Sequence, residues 1–192
     1  ESIRPPMTAV RETIYGLLKP RQKRPAQANL LGFFSPVAEN SELRAFLQQA
    51  GIQKIGELAR CQSYAEFQEL AAANFNLVLS DEAAPAAFQL EKRLSIPAIR
   101  LQRLYEIDKI DRQYQALGQI IGQTPALAKY RQKAETAIRD FCGQHKDAVI
   151  AIGSRLNANP FELALALVRY GLKVCEIFAL PTAADSFYIK RL

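Results

Sequence analysis

Ala148-Val149-Ile150-Ala151-Ile152, then Gly153-Ser154-Arg155-Leu156-Asn157-Ala158, then Asn159-Pro160-Phe161-Glu162-Leu163-Ala164-Leu165-Ala166-Leu167-Val168-Arg169-Tyr170-Gly171, is the stretch on which the fold turns. Its opening is wholly apolar, as a strand covered on both faces should be. Asn159 can cap the helix that follows, with Pro160 in its first turn and Glu162 completing an Asn-x-x-Glu box, and Gly171 supplies the stop. A second apolar run over residues 174–180 completes a strand-helix-strand unit, which implies parallel pairing and a right-handed crossover.

Working back towards the amino terminus, the same alternation recurs. Asn29-Leu30-Leu31-Gly32-Phe33-Phe34 reads as a first strand. Leu43, Phe46, Leu47 and Ala50 follow at helical spacing after the cap candidates Asn40 and Ser41. Ser63-Tyr64-Ala65-Glu66 is a capping box opening another helix. A strand over 77–79, a helix over 83–94, a strand over 98–101 and a helix over 107–121 continue the series. Thr124 with Pro125 is expected to open a long helix whose Leu127, Tyr130, Ala134, Ile138 and Phe141 form one apolar stripe. The predicted class is α/β: a Rossmann-like three-layer αβα domain with a parallel sheet, plus an incomplete second βαβ unit. The expected division is an N-terminal helix and basic linker over 1–27, the α/β domain over 28–146, and the start of a following α/β domain over 147–192.

Composition narrows the function classes. No stretch approaches the roughly 18 apolar residues of a membrane span, so no membrane partner is expected. The net charge of +6 raises nucleic acid as a partner, but the only dense basic cluster, Lys19, Arg21, Lys23 and Arg24, lies between prolines and reads as a solvated linker. No interleaved aromatic-basic stripe accompanies it, so no nucleic-acid partner is expected. Three distant cysteines, Cys61, Cys142 and Cys175, form no ligand spacing, fit a reduced cytoplasmic setting and are expected to pack in the interior. The lone His145 reads as a helix-end residue, and no nucleophilic triad can be assembled around it. The first residue is Glu1, not Met, and the expectation is a chain cut from a longer protein.

In open parallel sheets, ligands bind beyond the carboxyl ends of the strands, which selects the loops around Phe34 and Ser35, Ser80 and Asp81, Arg103 and Tyr105, and Arg155 and Asn157. Neither GxGxxG nor GxxxxGK[ST] follows any strand, which argues against dinucleotide and Walker-type phosphate sites. Ser80, Asp81 and Glu82 could offer oxygens to a metal or substrate, but helix capping is the favoured reading. Arg155 offers a planar fork to an anionic group, with an ordinary surface role as the alternative. Tyr105 reads as helix-edge packing.

The order Ala28-Asn29-Leu30-Leu31-Gly32-Phe33-Phe34, Leu47-x-x-Ala50-Gly51-Ile52, Ala73-x-x-Asn76-Leu77-Val78-Leu79-Ser80 and Leu90-Glu91-Lys92-Arg93-Leu94-Ser95-Ile96-Pro97-Ala98-Ile99 resembles component 1 of nitrogenase and its relatives, among them cofactor-assembly scaffolds and tetrapyrrole reductases. So does Ala151-Ile152-Gly153-Ser154 ahead of Asn159-Pro160-Phe161-Glu162. The resemblance spans 27–192 and implies a middle domain plus the first units of the next. It implies an oxidoreductase subunit that binds a metal cluster or tetrapyrrole between domains, beside a homologous component 1 subunit. Electrons would come from an ATP-dependent iron-sulfur reductase. Cluster-ligating cysteines would lie in a preceding domain, so this segment alone is expected to carry no cofactor, no metal ligands and no activity.

By position, the resemblance makes Phe34, Ser35, Ser80, Asp81, Arg155 and Asn157 the cofactor-binding candidates. One departure bears on function. Where molybdenum-iron nitrogenase has its cofactor's thiolate ligand, this sequence has Leu79-Ser80, and a neutral hydroxyl is a poor substitute for a soft thiolate at iron. A non-catalytic cofactor-assembly scaffold is therefore one alternative, and a small-molecule-binding α/β module another. The strands over 148–152 and 174–180 need neighbours, which the first sheet or a second copy of the chain in a homodimer would supply.

Overall fold

The computed structural model describes residues 5–153, 156 and 158–192. They form two compact units, one running to Gln102 and including Ile121–Gln123, the other comprising Arg103–Ile120 and the chain from Thr124 to Leu192. Residues 107–120 and 128–144, which carry the long helices, fall in the second unit.

The first unit opens with helix α1 (Pro6–Gly16), whose proline stands where no backbone donor is needed. Strand β1 (Arg24–Leu31) follows, starting well before the apolar run that predicts it. The basic residues at its start and before it are largely exposed, as a solvated segment should be, but they are also tied down. Arg21 and Arg24 pair with Glu69 at 2.7 and 2.5 Å, the Lys23 ammonium donates to the Ala71 carbonyl, and Gln68 bonds the backbone at Leu17 and Lys19.

Helix α2 (Glu42–Gln49), strand β2 (Lys54–Gly56), helix α3 (Tyr64–Glu69), strand β3 (Ala73–Val78), helix α4 (Ala84–Leu94) and strand β4 (Ala98–Arg100) complete this unit. All four strands are parallel in the order β2-β1-β3-β4, with Ala28 beside Ile55 and Phe75, and Leu77 beside Ile99. The fold class is thus α/β with a parallel, Rossmann-like sheet. The three-residue β2 lacks any apolar run, which is why periodicity does not reveal it.

Successive strand residues point to opposite faces, and here both are buried. Leu31 and Val78 join Tyr15, Leu18, Phe67, Leu70, Ala86, Leu90 and Leu94 in a core under α1, α3 and α4. Leu30 and Leu77, on the other face, are buried as well. Each such leucine contributes on the order of 1.5–3 kcal/mol by leaving water.

The centre of the sheet is nevertheless polar. Buried Asn29 donates to the Leu70 carbonyl and to Asn76 Oδ1, each at 2.9 Å, while Gln27 donates to the Glu69 carbonyl. Gly56, beside Asn29 in the register, leaves room for that amide. A Cβ there would overlap Asn29 Oδ1 and stand 2.6 Å from a Leu70 methyl.

The second unit contains helices α5 (Ile107–Ile121) and α6 (Ala128–Gln144), strand β5 (Val149–Ile152), helix α7 (Pro160–Arg169), strand β6 (Lys173–Ile177) and the short helix α8 (Ser186–Ile189). Asn159 caps α7 as expected, accepting from the Phe161 and Glu162 amides. Glu162 does not close a box on its own helix. Its carboxylate accepts from the Tyr105 and Glu106 amides at the start of α5, 3.0 and 3.4 Å away.

Three expectations fail here. Helix α6 starts at Ala128, not at Pro125, and none of its stripe residues is fully buried. β5 and β6 pair in parallel as a two-stranded sheet, and apart from Ile152 their side chains are half-buried or exposed, so this sheet is not covered on both faces. The cysteines are not interior either: Cys175 is exposed, and Cys61 and Cys142 are half-buried.

Candidate functional site

The carboxyl ends of β1, β3 and β4 deliver three loops to one edge of the first sheet, where parallel sheets bind ligands. Phe34 and Ser35 lie in the first loop, both exposed. Ser80 and Asp81 lie in the second. Ser80 stands at the N-cap of the turn that follows, with Asp81 and Glu82 in its first turn, but its side chain makes no capping hydrogen bond. Instead the Ser80 hydroxyl donates across to the Gly32 carbonyl at 3.3 Å, and Asp81 pairs with Arg100 at the end of β4. Phe34, Ser80 and Asp81 therefore belong to one neighbourhood. Arg155 and Asn157 lie outside the described residues.

The organising residue of this edge is one that sequence reasoning misses. Arg11, buried on α1, donates from Nε and Nη2 to the Gly32 carbonyl at 2.9 and 2.6 Å, and from Nη1 to the Met7 carbonyl and Glu82 at 3.0 and 2.8 Å. Its guanidinium carbon stands 4.6 Å from the Phe34 ring centre, a cation-π contact. Thr8, Arg11 and Tyr15 are the buried residues of α1. An arginine between two residues on the inward face of an amphipathic helix is the available signal. Gly32 is required by the same closeness, since a Cβ would meet Leu79 Cβ at 2.9 Å and the Ser80 nitrogen at 3.2 Å.

The far end of the first loop is held by a second buried charge. Glu57, just after β2, accepts from the Val37 amide at 2.7 Å and from Arg60 Nε at 2.9 Å, and it pairs with buried Arg44. Arg60 returns a bond to the Val37 carbonyl at 2.7 Å and meets Glu39 at 2.5 Å. Beside this cluster Cys61 donates to the Glu57 carbonyl, and partial burial pushes its thiol pKa up, away from the thiolate form.

In the second unit, Glu162 is fully buried, and that burial raises its pKa against the pull of the two amides and of Lys109. For Glu106, desolvation is outweighed by Lys109 and Arg169, which hold its pKa below the usual range. Tyr170 closes the arrangement, accepting from the Ile107 amide and donating to the Tyr105 carbonyl. The work of this network is structural: it ties the start of α5 to α7.

The described residues do not fit a metal cluster. Among the described residues no three His, Cys, Asp or Glu side chains converge, and the Ser80 hydroxyl is already bonded to Gly32. The carboxyl edge offers an aromatic ring, hydroxyls and paired charges, which can contact and orient a ligand, and no thiolate, the soft donor that iron-sulfur chemistry uses.

These features define an α/β protein with a parallel sheet and a loop-built edge. The model of the nitrogenase component 1 type oxidoreductases matches residues 6–188, and the chain belongs to that family. Two solved structures share its fold. "Nitrogenase Cp1 at pH 6.5" aligns over 96% of this chain with a TM-score of 0.66 and 15% identity, and "Nitrogenase Cp1 at pH 5" over 91% with a TM-score of 0.56 and 17% identity. The chain spans 45% and 38% of their lengths. No curated protein matches it. Among the described residues no helix is long and apolar enough to cross a membrane.

Proposed function

We propose that this chain is part of a cytoplasmic component 1-type oxidoreductase subunit, in which a metal cluster or a tetrapyrrole is held beyond the carboxyl edge of the first sheet. Electrons come from an ATP-dependent iron-sulfur reductase, and a homologous component 1 subunit is the expected partner. The observation that carries this reading is the family match through residues 6–188. The convergence of Phe34, Ser80 and Asp81 at the edge where parallel sheets bind ligands supports it. This chain's own contribution is to contact and orient; the iron ligands come from elsewhere in the subunit.

The test is anaerobic purification of the full subunit carrying this segment, with iron and sulfide analysis and visible spectroscopy before and after mixing with a reductase and ATP. A chromophore that bleaches only with reductase and ATP is expected. A colourless, iron-free subunit that binds no tetrapyrrole would overturn the proposal.

A second reading, a cofactor-assembly scaffold without turnover, is favoured by Ser80, which the resemblance sets at the thiolate's position and whose hydroxyl is spent on Gly32. Multiple-turnover substrate reduction by the loaded subunit would exclude it.

A further inference from the structure

The segment Phe33–Pro36 is short, exposed from Phe34 onward, and bracketed. On its amino side the Gly32 carbonyl accepts three hydrogen bonds, two from buried Arg11 and one from Ser80. On its carboxyl side the backbone of Val37 is engaged at both polar groups, the amide by Glu57 and the carbonyl by Arg60. Exposed loops ordinarily leave such groups to water, and bonds to charged partners are about twice as strong as neutral ones. The anchors also come from separate places in the sequence, α1 on one side and the turn after β2 on the other. One face of Phe34 rests on the Arg11 guanidinium, and the ring is 41% exposed.

We propose that Arg11 and the Glu57–Arg60 pair are positioning residues that hold the Phe33–Pro36 loop in one conformation, so that Phe34 presents a fixed aromatic surface at the carboxyl edge. Rigid presentation lowers the ordering cost of binding, which is the use such bracing has at a contact surface. This rests on the carboxyl edge being the ligand site, but the loop's rigidity stands or falls independently.

The chain contains no tryptophan, so Phe34→Trp installs a single fluorescent reporter. Time-resolved anisotropy of that lone indole in the 192-residue chain should show little fast motion. Arg11→Gln, or Arg60→Gln as a second variant that leaves α1 untouched, should raise the fast-motion amplitude at least twofold, whereas Arg100→Gln at the neighbouring exposed ion pair should not. Arg11→Lys keeps the charge but not the paired bonds to Gly32, so it should restore only part of the rigidity. Amide exchange at Phe34 and Ser35 in the chain with native Phe34 should accelerate about tenfold in Arg11→Gln, without a matching rise across β3. A reporter already mobile in the parent, or one unmoved by both variants, would overturn the proposal. A rigid loop in a full subunit that holds neither iron nor tetrapyrrole would instead refute the functional reading and leave this one intact.

Discussion

Glu57 and Arg44 are both about 5% exposed, so each charge depends on the other. Glu57→Gln keeps an acceptor for the Val37 amide but leaves the guanidinium in the interior with Glu39, 3.7 Å away, as its remaining carboxylate among the described residues. It should cost about 3 kcal/mol in urea denaturation, the low end for an uncompensated buried charge, and Arg44→Met should recover part of that loss in the double variant. Gly56→Ala should cost about 1–3 kcal/mol by the same measurement, because its methyl overlaps Asn29 and Leu70. Glu162 gives a pH signature. Its pKa is raised on folding, so folding loses stability as pH climbs from the ordinary carboxylate range through the raised value; Glu106, with its lowered pKa, acts in the opposite sense, losing its contribution as pH falls. Glu162→Gln should therefore gain in Tm over the parent as pH rises from about 4 to about 8, and a pH-independent difference would contradict that. None of these partners is legible in the sequence. Glu57, Arg44 and Arg11 look like ordinary charged residues there, and what makes them special is burial against segments 13 to 71 residues away.

At the level of elements, sequence succeeds where the chemistry is local. Ser41, Ser63 and Asn159 cap α2, α3 and α7 through their own side chains, as the spacing requires. Asn159→Ala should cost about 1–2 kcal/mol, since it also severs the 2.5 Å bond to Asp185; chemical denaturation followed by circular dichroism would check it. The capping partners are less predictable. Glu66 reaches the Gln62 amide, and Glu162 serves a different helix altogether. The strand ends show the same limit: Phe33 and Phe34 continue an apolar run, yet β1 stops at Leu31 because Arg11 and Ser80 bind the Gly32 carbonyl and turn the chain into a loop.

Across the whole molecule, the first unit has a four-stranded sheet buried on both faces, and the second has two parallel strands with little cover among the described residues. Val149, Phe178 and Leu180 are 63, 54 and 94% exposed. The alternation of elements is readable because it is written in local periodicity, and the family is readable from matched segments such as residues 28–34, 73–80 and 90–99. The candidate edge is readable only in outline, through the rule that places ligands at strand carboxyl ends, because its bracing residues come from distant segments. In the proposed function, this chain shapes and orients a ligand site whose iron ligands lie elsewhere in a component 1-type subunit. Anaerobic iron-sulfide reconstitution of the 192-residue chain beside the full subunit tests it most directly, read by visible absorption and bound iron. The chain should stay colourless and iron-free while the subunit takes up stoichiometric iron or binds a tetrapyrrole; a chain that alone acquires a cluster, or a full subunit that holds neither iron nor tetrapyrrole, would contradict this reading.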